Sequence, residues 1–193
     1  MNQKYFLTSY LNDFSDLVKP DEIIVDKLEK LANLLKDVHN MGNKILIFGN
    51  GGSAAIASHF SLDLTKNGNL RCVNFNEANL ITCFANDYGY EHWVEKAVEF
   101  YGDKGDVFIG ISSSGLSKNI LNGCRAAREK NFSKLITLSG MSADNPLRKM
   151  GDINLWIDSK AYNHIENIHQ IWLLAVVDMI IGKAEYLANP DES

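Results

Sequence analysis

Apolar residues recur at helical spacing through the first forty positions of the chain. Between residues 5 and 40 they fall three or four positions apart, and only KPDE (19–22) interrupts the pattern. That period is typical of amphipathic helices, and a proline beside acidic residues marks a helix boundary. The pattern therefore predicts two N-terminal helices, the second beginning near Asp21.

From residue 44 onward, short apolar runs alternate with helical stretches. Strands are predicted at 44–50, 72–76, 105–115 (entering a serine-rich turn), 134–140 and 153–157. Helices are predicted at 53–66, 78–102 with a break near NDYG (86–89), 117–130 and 163–187. Strands that alternate with helices predict a parallel sheet covered on both faces. The expected fold class is α/β, a doubly wound, mostly parallel sheet flanked by helices, with the N-terminal helices added to it.

Length and composition fit one compact domain. The chain has 193 residues, of which 46% are hydrophobic and 22% are charged, enough to bury a sizeable core. The formal charge of -5 without a basic run argues against nucleic acid and membrane surfaces as partners. No apolar run is long enough to cross a bilayer and the N-terminus lacks signal-peptide order, so we expect a cytoplasmic protein. Cys72, Cys83 and Cys124 are interpreted as buried free thiols.

Two loops each follow a predicted strand and precede a predicted helix. GNGGSA (49–54) offers a glycine pair and the Ser53 hydroxyl, and SSSGLS (112–117) offers four hydroxyls in six residues. At the carboxyl ends of parallel strands, backbone N–H groups and helix N-termini favour an anion. Ser53 and Ser117 could instead only cap helices. Two such loops at equivalent positions favour a phosphate site; because neither has a nucleotide-binding signature, we expect a phosphorylated metabolite and no nucleotide cofactor.

Twice, a histidine and a carboxylate share one face of a predicted helix. His59 and Asp63 are four residues apart, and Glu166 and His169 are three apart; both spacings place the side chains on one face. Each pair could be a hydrogen-bonded surface pair, an acid/base pair, or part of one metal site of the zinc type. Apolar neighbours predict that both faces are partly packed, which favours a role because buried polar groups without partners are costly.

With these pieces in order, the sequence resembles the sugar isomerase (SIS) domain family, and within it the phosphoheptose isomerases. The matching stretches cover most of the chain: GNGGSAAIASHFSLDL (49–64), FANDYGYEHWV (84–94), GDVFIGISSSGLSKNIL (105–121), KLITLSG (134–140) and HIENIH (164–169). The resemblance implies a single SIS domain over 1–193 with the SIS fold, a flavodoxin-like or Rossmann-like three-layer sandwich. It also implies a homotetramer, for which the N-terminal helical segment 1–40 is the expected interface.

The resemblance further implies the site residues. Its substrate and phosphate contacts fall on Asn50, Gly51, Gly52, Ser53, Asn86, Asp87, Ser112, Ser113, Ser114 and Ser117. The family's metal-binding and catalytic histidine falls on His59, and its base, normally a glutamate, falls on Asp63. Its last-helix glutamine falls on Glu166, and its second catalytic histidine falls on Leu174.

The hypothesis that follows from the resemblance is an aldose–ketose isomerisation, with sedoheptulose 7-phosphate as the expected substrate. Asp63 is the expected base and His59 an acid or a zinc ligand. Glu166 and His169 are expected to supply the remaining ligand or acid that Leu174 cannot provide. The expected zinc ligands are thus His59, Asp63 and Glu166, since a second carboxylate near Asp63 favours a cation there.

Departures from the family keep other functions open. Leu174 replaces a catalytic histidine, Leu116 replaces an asparagine of the phosphate loop, and MSADNP (141–146) replaces an Asp-Gly-Gly stretch. One alternative is a SIS module that binds a phosphosugar or a protein partner without catalysis, which the missing histidine favours and the retained polar residues of the two helices oppose. The other alternative is an isomerase of another phosphosugar, for instance in a surface-polysaccharide pathway.

Overall fold

Seven α-helices and five β-strands lie along residues 2–186, the part of the chain that the structure, a computed structural model, describes. The helices are α1 (Gln3–Val18), α2 (Glu22–Asn40), α3 (Gly52–Lys66), α4 (Ala78–Tyr88), α5 (Trp93–Tyr101), α6 (Lys118–Glu129) and α7 (Tyr162–Ile181), with a 3-10 turn at Tyr90–His92. The strands are β1 (Ile45–Phe48), β2 (Cys72–Val73), β3 (Val107–Ile111), β4 (Lys134–Ser139) and β5 (Ile153–Trp156). Both predicted N-terminal helices and the predicted break in 78–102 are confirmed.

The five strands form one parallel sheet in the order β2-β1-β3-β4-β5. Ile45 of β1 pairs with Cys72 of β2 on one side and with Val107 of β3 on the other. Every residue of β1 and β3 is buried, as expected for strands covered on both faces. The predicted α/β class with a doubly wound parallel sheet is therefore confirmed, and the point at which the strand order reverses lies between β1 and β3.

The core is divided by the sheet into two layers, because successive strand residues point to opposite faces. Ile45 and Ile47 face the cluster that contains the buried residues of α2, α3 and α7. Leu46 and Phe48 face the cluster that contains Trp93 and the buried residues of α5 and α6. Helices thus pack on both faces of the sheet, and α3 and α7 lie on the same face.

Two predicted elements are shorter than expected. The strand predicted at 72–76 keeps only two sheet residues, because the side chains of Asn74 and Asn76 donate to α3, at the Ser61 and Ser58 hydroxyls (2.6 and 2.8 Å). The helix predicted to reach residue 187 ends at Ile181, because Gly182 adopts a left-handed conformation (φ 90°) that terminates it. Leu187, the last position of that prediction, lies outside the described residues.

Two other expectations are tested by the fold. Cys72 and Cys124 are buried, and burial raises the pKa of both thiols, whereas Cys83 is exposed on α4, which corrects its predicted burial. Cys83 lies on the outer face of that helix, which has no buried residue. Within residues 2–186, no helix is long and apolar enough to cross a membrane.

A buried carboxylate joins the amino ends of β1 and β3. Asp106 is 1% exposed, and its carboxylate accepts hydrogen bonds from the backbone N–H groups of Lys44 (3.0 Å) and Asp103 (2.8 Å). The Lys44 ammonium lies 2.7 Å from the same carboxylate. A buried charge is tolerated when it is paired and fully hydrogen-bonded. This network therefore holds the two central strands together at the end of the sheet opposite the two loops.

We expect Asp106→Ala to lower the free energy of unfolding by roughly 3 kcal/mol, because two backbone donors lose their acceptor and Lys44 loses one of its anions. Asp16→Ala is the control, since the ion pair of Asp16 with Lys19 is 69–71% exposed and such pairs contribute about 0–1 kcal/mol. Urea unfolding followed by circular dichroism measures both variants. A loss below about 1 kcal/mol in Asp106→Ala would contradict the stabilising role of the network.

Candidate functional site

The glycine loop and the serine loop lie side by side at the carboxyl ends of β1 and β3. A cavity of about 160 Å³ opens between them, and its lining consists of Asn50, Ser53, Ile111, Ser112, Ser113, Ser114, Ser117, Tyr162 and Glu166. Doubly wound sheets bind ligands at this reversal of strand order. The structure therefore brings together the two loops that the sequence predicts as one phosphate site.

A larger cavity lies elsewhere, between the junction of α1 with α2 and the residues that end β5. It measures about 670 Å³ and includes Lys27, Arg148, Trp156 and Trp172 among its lining residues. Neither predicted loop contributes to it. Its volume is greater, but the convergent polar groups of the smaller cavity are what a specific ligand site requires, and we place the candidate site there.

The serine loop presents buried hydroxyls to the cavity. Ser112 and Ser113 are 4% and 6% exposed. The Ser112 and Ser117 hydroxyls are 2.9 Å apart and bond to each other, whereas the buried Ser113 hydroxyl has no hydrogen-bond partner in the part of the chain that the structure describes. A buried hydroxyl without a partner is costly and calls for an explanation. A ligand oxygen in the cavity would supply the missing partner.

Neither α3 nor α6, which begin at the cavity, has a side-chain cap among residues 2–186. Asn2 and Asp21 accept hydrogen bonds at the starts of α1 and α2, whereas α4, α5 and α7 also lack such a cap. Ser117 stands at the capping position of α6 and bonds to Ser112 instead. The structure thus contradicts the alternative in which these serines only cap helices. The first backbone N–H groups of α6 are available to an anion. At α3, by contrast, the Ser53 and Ala54 N–H groups already donate to the carbonyl oxygens of Asn50 and Gly51.

The glycine pair allows a close approach between α7 and the start of α3. Gly51 has a φ of 55°, a conformation that favours glycine. A side chain at Gly52 would collide with the carboxylate of Glu166, which lies directly against this backbone. The Glu166 carboxylate therefore lies beside the first turn of α3, on the wall of the cavity.

Asn50 is fixed by two residues that sequence reasoning missed. Its side chain and that of Asn119 exchange two hydrogen bonds (3.0 and 2.8 Å), and the Tyr90 hydroxyl donates to the Asn50 amide oxygen (2.9 Å). Asn119 is 2% exposed. Both residues lie inside stretches that carry the family resemblance, so the match could have drawn attention to them. Tyr162, which also lines the cavity, carries no such signal.

His59 and Asp63 form a separate cluster farther along α3. His59 Nε2 lies 3.1 Å from Asp63 Oδ2, and its Nδ1 lies 3.2 Å from the Gln170 amide nitrogen on α7. Their predicted position on one helix face is confirmed. Asp63 is ten residues beyond Ser53, which corresponds to about 15 Å along an α-helix. Neither His59 nor Asp63 lines the cavity.

Glu166 and His169 of α7 have different surroundings. Glu166 is half-buried on the cavity wall. His169 is fully buried; its Nε2 donates to the Ser139 carbonyl oxygen (3.2 Å), and burial lowers its pKa to about 4. The buried face of α7 includes position 169, which the three-residue spacing alone did not reveal. His169 is therefore a core residue, and its predicted role as a catalytic acid is corrected.

Asn86 and Asp87, predicted to contact substrate, are exposed at the end of α4. The Asn86 side chain donates to the Asp87 carboxylate (2.9 Å). Neither residue lines the cavity. Within one chain the structure does not bring them to the two loops, and their role in binding stays a prediction.

The three predicted zinc ligands are not brought together. Across residues 2–186, no three histidine, cysteine, aspartate or glutamate side chains gather closely enough to hold a metal ion. His59 and Asp63 bond to each other, and Glu166 lies against Gly52 instead. A zinc centre takes three or four protein ligands, so the donors of one chain do not fit it. Zinc binding stays a prediction.

Comparison with known proteins identifies the family. The family model described as SIS domain matches residues 9–140, more than half of the chain. The chain belongs to the SIS domain family. The sequence is 34% identical over 180 residues to the phosphoheptose isomerase of Fusobacterium nucleatum, covering 89% of this chain and 91% of the relative. It is 37% identical over 171 residues to that of Proteus mirabilis, covering 84% and 86%.

Solved structures of SIS proteins share the architecture. The phosphoheptose isomerase of Neisseria gonorrhoeae superposes with a TM-score of 0.85 at 30% identity, over 92% of this chain and 98% of that one. The corresponding enzyme of Francisella tularensis gives 0.82 at 25% identity, over 95% and 100%. The predicted SIS fold is therefore confirmed.

We expect Ser113→Ala to weaken the binding of inorganic phosphate about 10-fold or more, because a hydrogen bond to a charged group contributes about 1.5–3 kcal/mol. Isothermal titration calorimetry at constant ionic strength measures the dissociation constant. Ser15→Ala, on the exposed face of α1, is the matched control. Equal affinities of Ser113→Ala and wild type would show that this hydroxyl does not contact the anion.

Burial of His169 predicts a pH dependence of stability. With a pKa of about 4 in the folded protein and 6.5 as its ordinary value, the unfolded chain binds more protons between these limits. Stability is therefore lost as pH falls from 6.5 towards 4, by up to about 1.4 kcal/mol per pH unit from this group. Urea unfolding across this window should give a shallower slope for His169→Gln than for wild type. Parallel curves would contradict the assignment.

Proposed function

We propose that this SIS domain interconverts the ketose and aldose forms of a phosphorylated sugar, with sedoheptulose 7-phosphate as substrate. The single observation that carries the proposal is the cavity at the two loops, where buried serine hydroxyls and a carboxylate face each other. The names of the relatives support the choice of substrate, because the chain matches two proteins named phosphoheptose isomerase over most of their length.

The serine loop is the proposed site of the phosphate group. The Ser113 hydroxyl has no partner in the described part of the chain, and the start of α6 carries uncapped N–H groups. Within residues 2–186, no lysine or arginine lines this cavity. Neutral donors of this kind hold a phosphate in place, whereas phosphoryl transfer requires cationic groups. The phosphate group thus serves to bind the sugar and does not itself react.

The proposed reaction moves hydrogen between two adjacent carbons of the sugar. A base removes a proton from C1 of the open-chain ketose, a double bond forms between C1 and C2, and the carbonyl electron pair moves to the C2 oxygen. Return of a proton to C2 and transfer of the C1 hydroxyl proton to the C2 oxygen give the aldose. The protein must supply one acid/base group beside C1 and C2 and donors for the developing oxyanion. Asn50, whose side chain is hydrogen-bonded to Asn119 and Tyr90, is the proposed donor.

Binding without catalysis is the second candidate. Leu174 cannot transfer protons, and the His59–Asp63 pair lies outside the cavity. These two observations favour a module that only binds the phosphosugar. The carboxylate of Glu166 in the cavity opposes it, since an anionic group beside a phosphate weakens binding unless it has another task.

Assembly into a homotetramer belongs to the same proposal. Helix α1 has no buried residue and exposes the large apolar side chains of Tyr5, Phe6, Leu7 and Leu11. A neighbouring subunit would cover apolar surface of α1 and could bring Asn86, Asp87 or the His59–Asp63 pair to another chain's cavity. Zinc binding and a cytoplasmic location also remain proposals.

Incubation of the purified protein with sedoheptulose 7-phosphate, with and without added Zn²⁺, tests the proposed function. We expect an aldose phosphate to accumulate, which NMR of the C1 proton detects, and the rate to fall in Ser113→Ala through a higher KM. Fructose 6-phosphate is the control sugar for substrate choice. Binding of the heptulose phosphate without any conversion would refute the isomerase and favour the binding module.

A further inference from the structure

We propose that Asn119 and Tyr90 hold the side-chain amide of Asn50 in one orientation, so that Asn50 offers a bound sugar a hydrogen-bond donor and no acceptor. Asn119 and Tyr90 are thus positioning residues, and Asn50 is the contact that selects the sugar. These roles rest on the proposed phosphosugar substrate. The hydrogen bonds among the three side chains carry them.

The Asn50 amide has one hydrogen-bonding group left for a ligand. An asparagine side chain accepts two hydrogen bonds at its oxygen and donates two from its nitrogen. The Asn50 oxygen accepts from the Asn119 amide (2.8 Å) and from the Tyr90 hydroxyl (2.9 Å). One of its N–H groups donates to the Asn119 oxygen (3.0 Å). Among residues 2–186 the second N–H has no acceptor, and Asn50 lines the cavity, so only this donor remains for a ligand.

Both partners of Asn50 are anchored on α6. Asn119 lies in the first turn of this helix and is 2% exposed. Tyr90 begins the 3-10 turn before α5, and the Asn122 side chain ties that turn to α6 by donating to the Glu91 carbonyl oxygen (2.9 Å). Rotation of the Asn50 amide alone would leave polar atoms of a buried partner unpaired, which is costly. The helix that follows the serine loop therefore also fixes Asn50 of the glycine loop.

Two features select one of the two orientations that the amide pair could adopt. If both amides were turned over, Asn50 and Asn119 would still exchange two hydrogen bonds, and Asn50 would present its oxygen to a ligand. The Tyr90 hydroxyl opposes this orientation, because a phenol donates more strongly than it accepts. The Glu166 carboxylate on the cavity wall and a bound phosphate also oppose it, since negative charge attracts an N–H group and repels an oxygen.

A fixed donor at this position selects the group that the sugar presents to it. The phosphate occupies the hydroxyls of the serine loop after β3, so Asn50 at the end of β1 is left for the sugar. A hydroxyl, carbonyl or oxyanion oxygen can accept from the free N–H, whereas a protonated amino group only donates and is rejected. Asn50 therefore favours a sugar with an oxygen at the contacted carbon over an amino sugar.

Tyr90→Phe tests the positioning role, because it removes only a hydroxyl from a residue that is 53% exposed. We expect the affinity for the reduced heptitol 7-phosphate, which binds without turnover, to fall about 3- to 10-fold. The affinity for inorganic phosphate, which contacts only the serine loop, should stay within about twofold of wild type. Isothermal titration calorimetry at constant ionic strength measures both dissociation constants.

Two further variants complete the experiment. Tyr88→Phe is the matched control, because Tyr88 is 43% exposed and its ring, which Phe keeps, contacts the Lys96 ammonium. Its hydroxyl makes no hydrogen bond within residues 2–186, so both affinities should equal those of wild type. Asn119→Leu keeps the size of the side chain and removes the paired amide, and it should lose heptitol phosphate affinity at least as strongly as Tyr90→Phe. If Asn119→Leu does not fold, Tyr90→Phe alone decides.

The outcomes separate the positioning role from the proposed function. Equal heptitol phosphate affinities of Tyr90→Phe and wild type would overturn the role, and so would an equal loss for the heptitol and for inorganic phosphate, which indicates general damage to the site. A wild type that binds the heptitol phosphate no more tightly than phosphate would overturn the Asn50 contact. A wild type that does not convert sedoheptulose 7-phosphate refutes the isomerase, while the two affinities still decide the role of Tyr90.

Discussion

The parallel pairing of β1 with β3 is the interaction on which the site depends. Ile45 pairs with Val107 and Phe48 with Gly110, so both strands end at the same level and release their loops at one edge. Asp106 holds the opposite ends of the same strands through buried hydrogen bonds. This register therefore brings the glycine pair of one loop beside the four serines of the other.

The second constraint is the contact of α7 with the start of α3. Both helices pack on the same face of the sheet, and only a residue without a side chain allows Glu166 to lie against position 52. The cavity consequently has two unlike walls. One offers hydroxyls and uncapped N–H groups, and the other offers a carboxylate. An anionic ligand with a reactive polar end matches this arrangement better than a symmetrical anion does.

The buried face of α7 explains why the predicted catalytic residues Glu166 and His169 do not lie together at the cavity. Positions 164, 165, 168, 169, 172 and 173 are all buried, so His169 belongs to the core although it is polar. Glu166 and Gln170 are half-buried on the same helix, and they serve different neighbours. Glu166 faces the glycine loop, whereas Gln170 contacts His59. The four predicted catalytic residues therefore have three different surroundings. His59 and Asp63 contact each other, Glu166 lies at the glycine loop, and His169 lies in the core.

The sequence by itself determined the fold class, the order of the elements, the two loops and the family, because periodicity and short motifs are local properties of the chain. It also placed His59 and Asp63 on one face, since that spacing depends only on helix geometry. The tertiary structure decided three other features: which face of α7 is buried, how far Asp63 lies from the serine loop, and the pairing of Asn50 with Asn119. Those features depend on how distant helices pack against one sheet, and no local pattern encodes the distance between residues that are far apart in the chain.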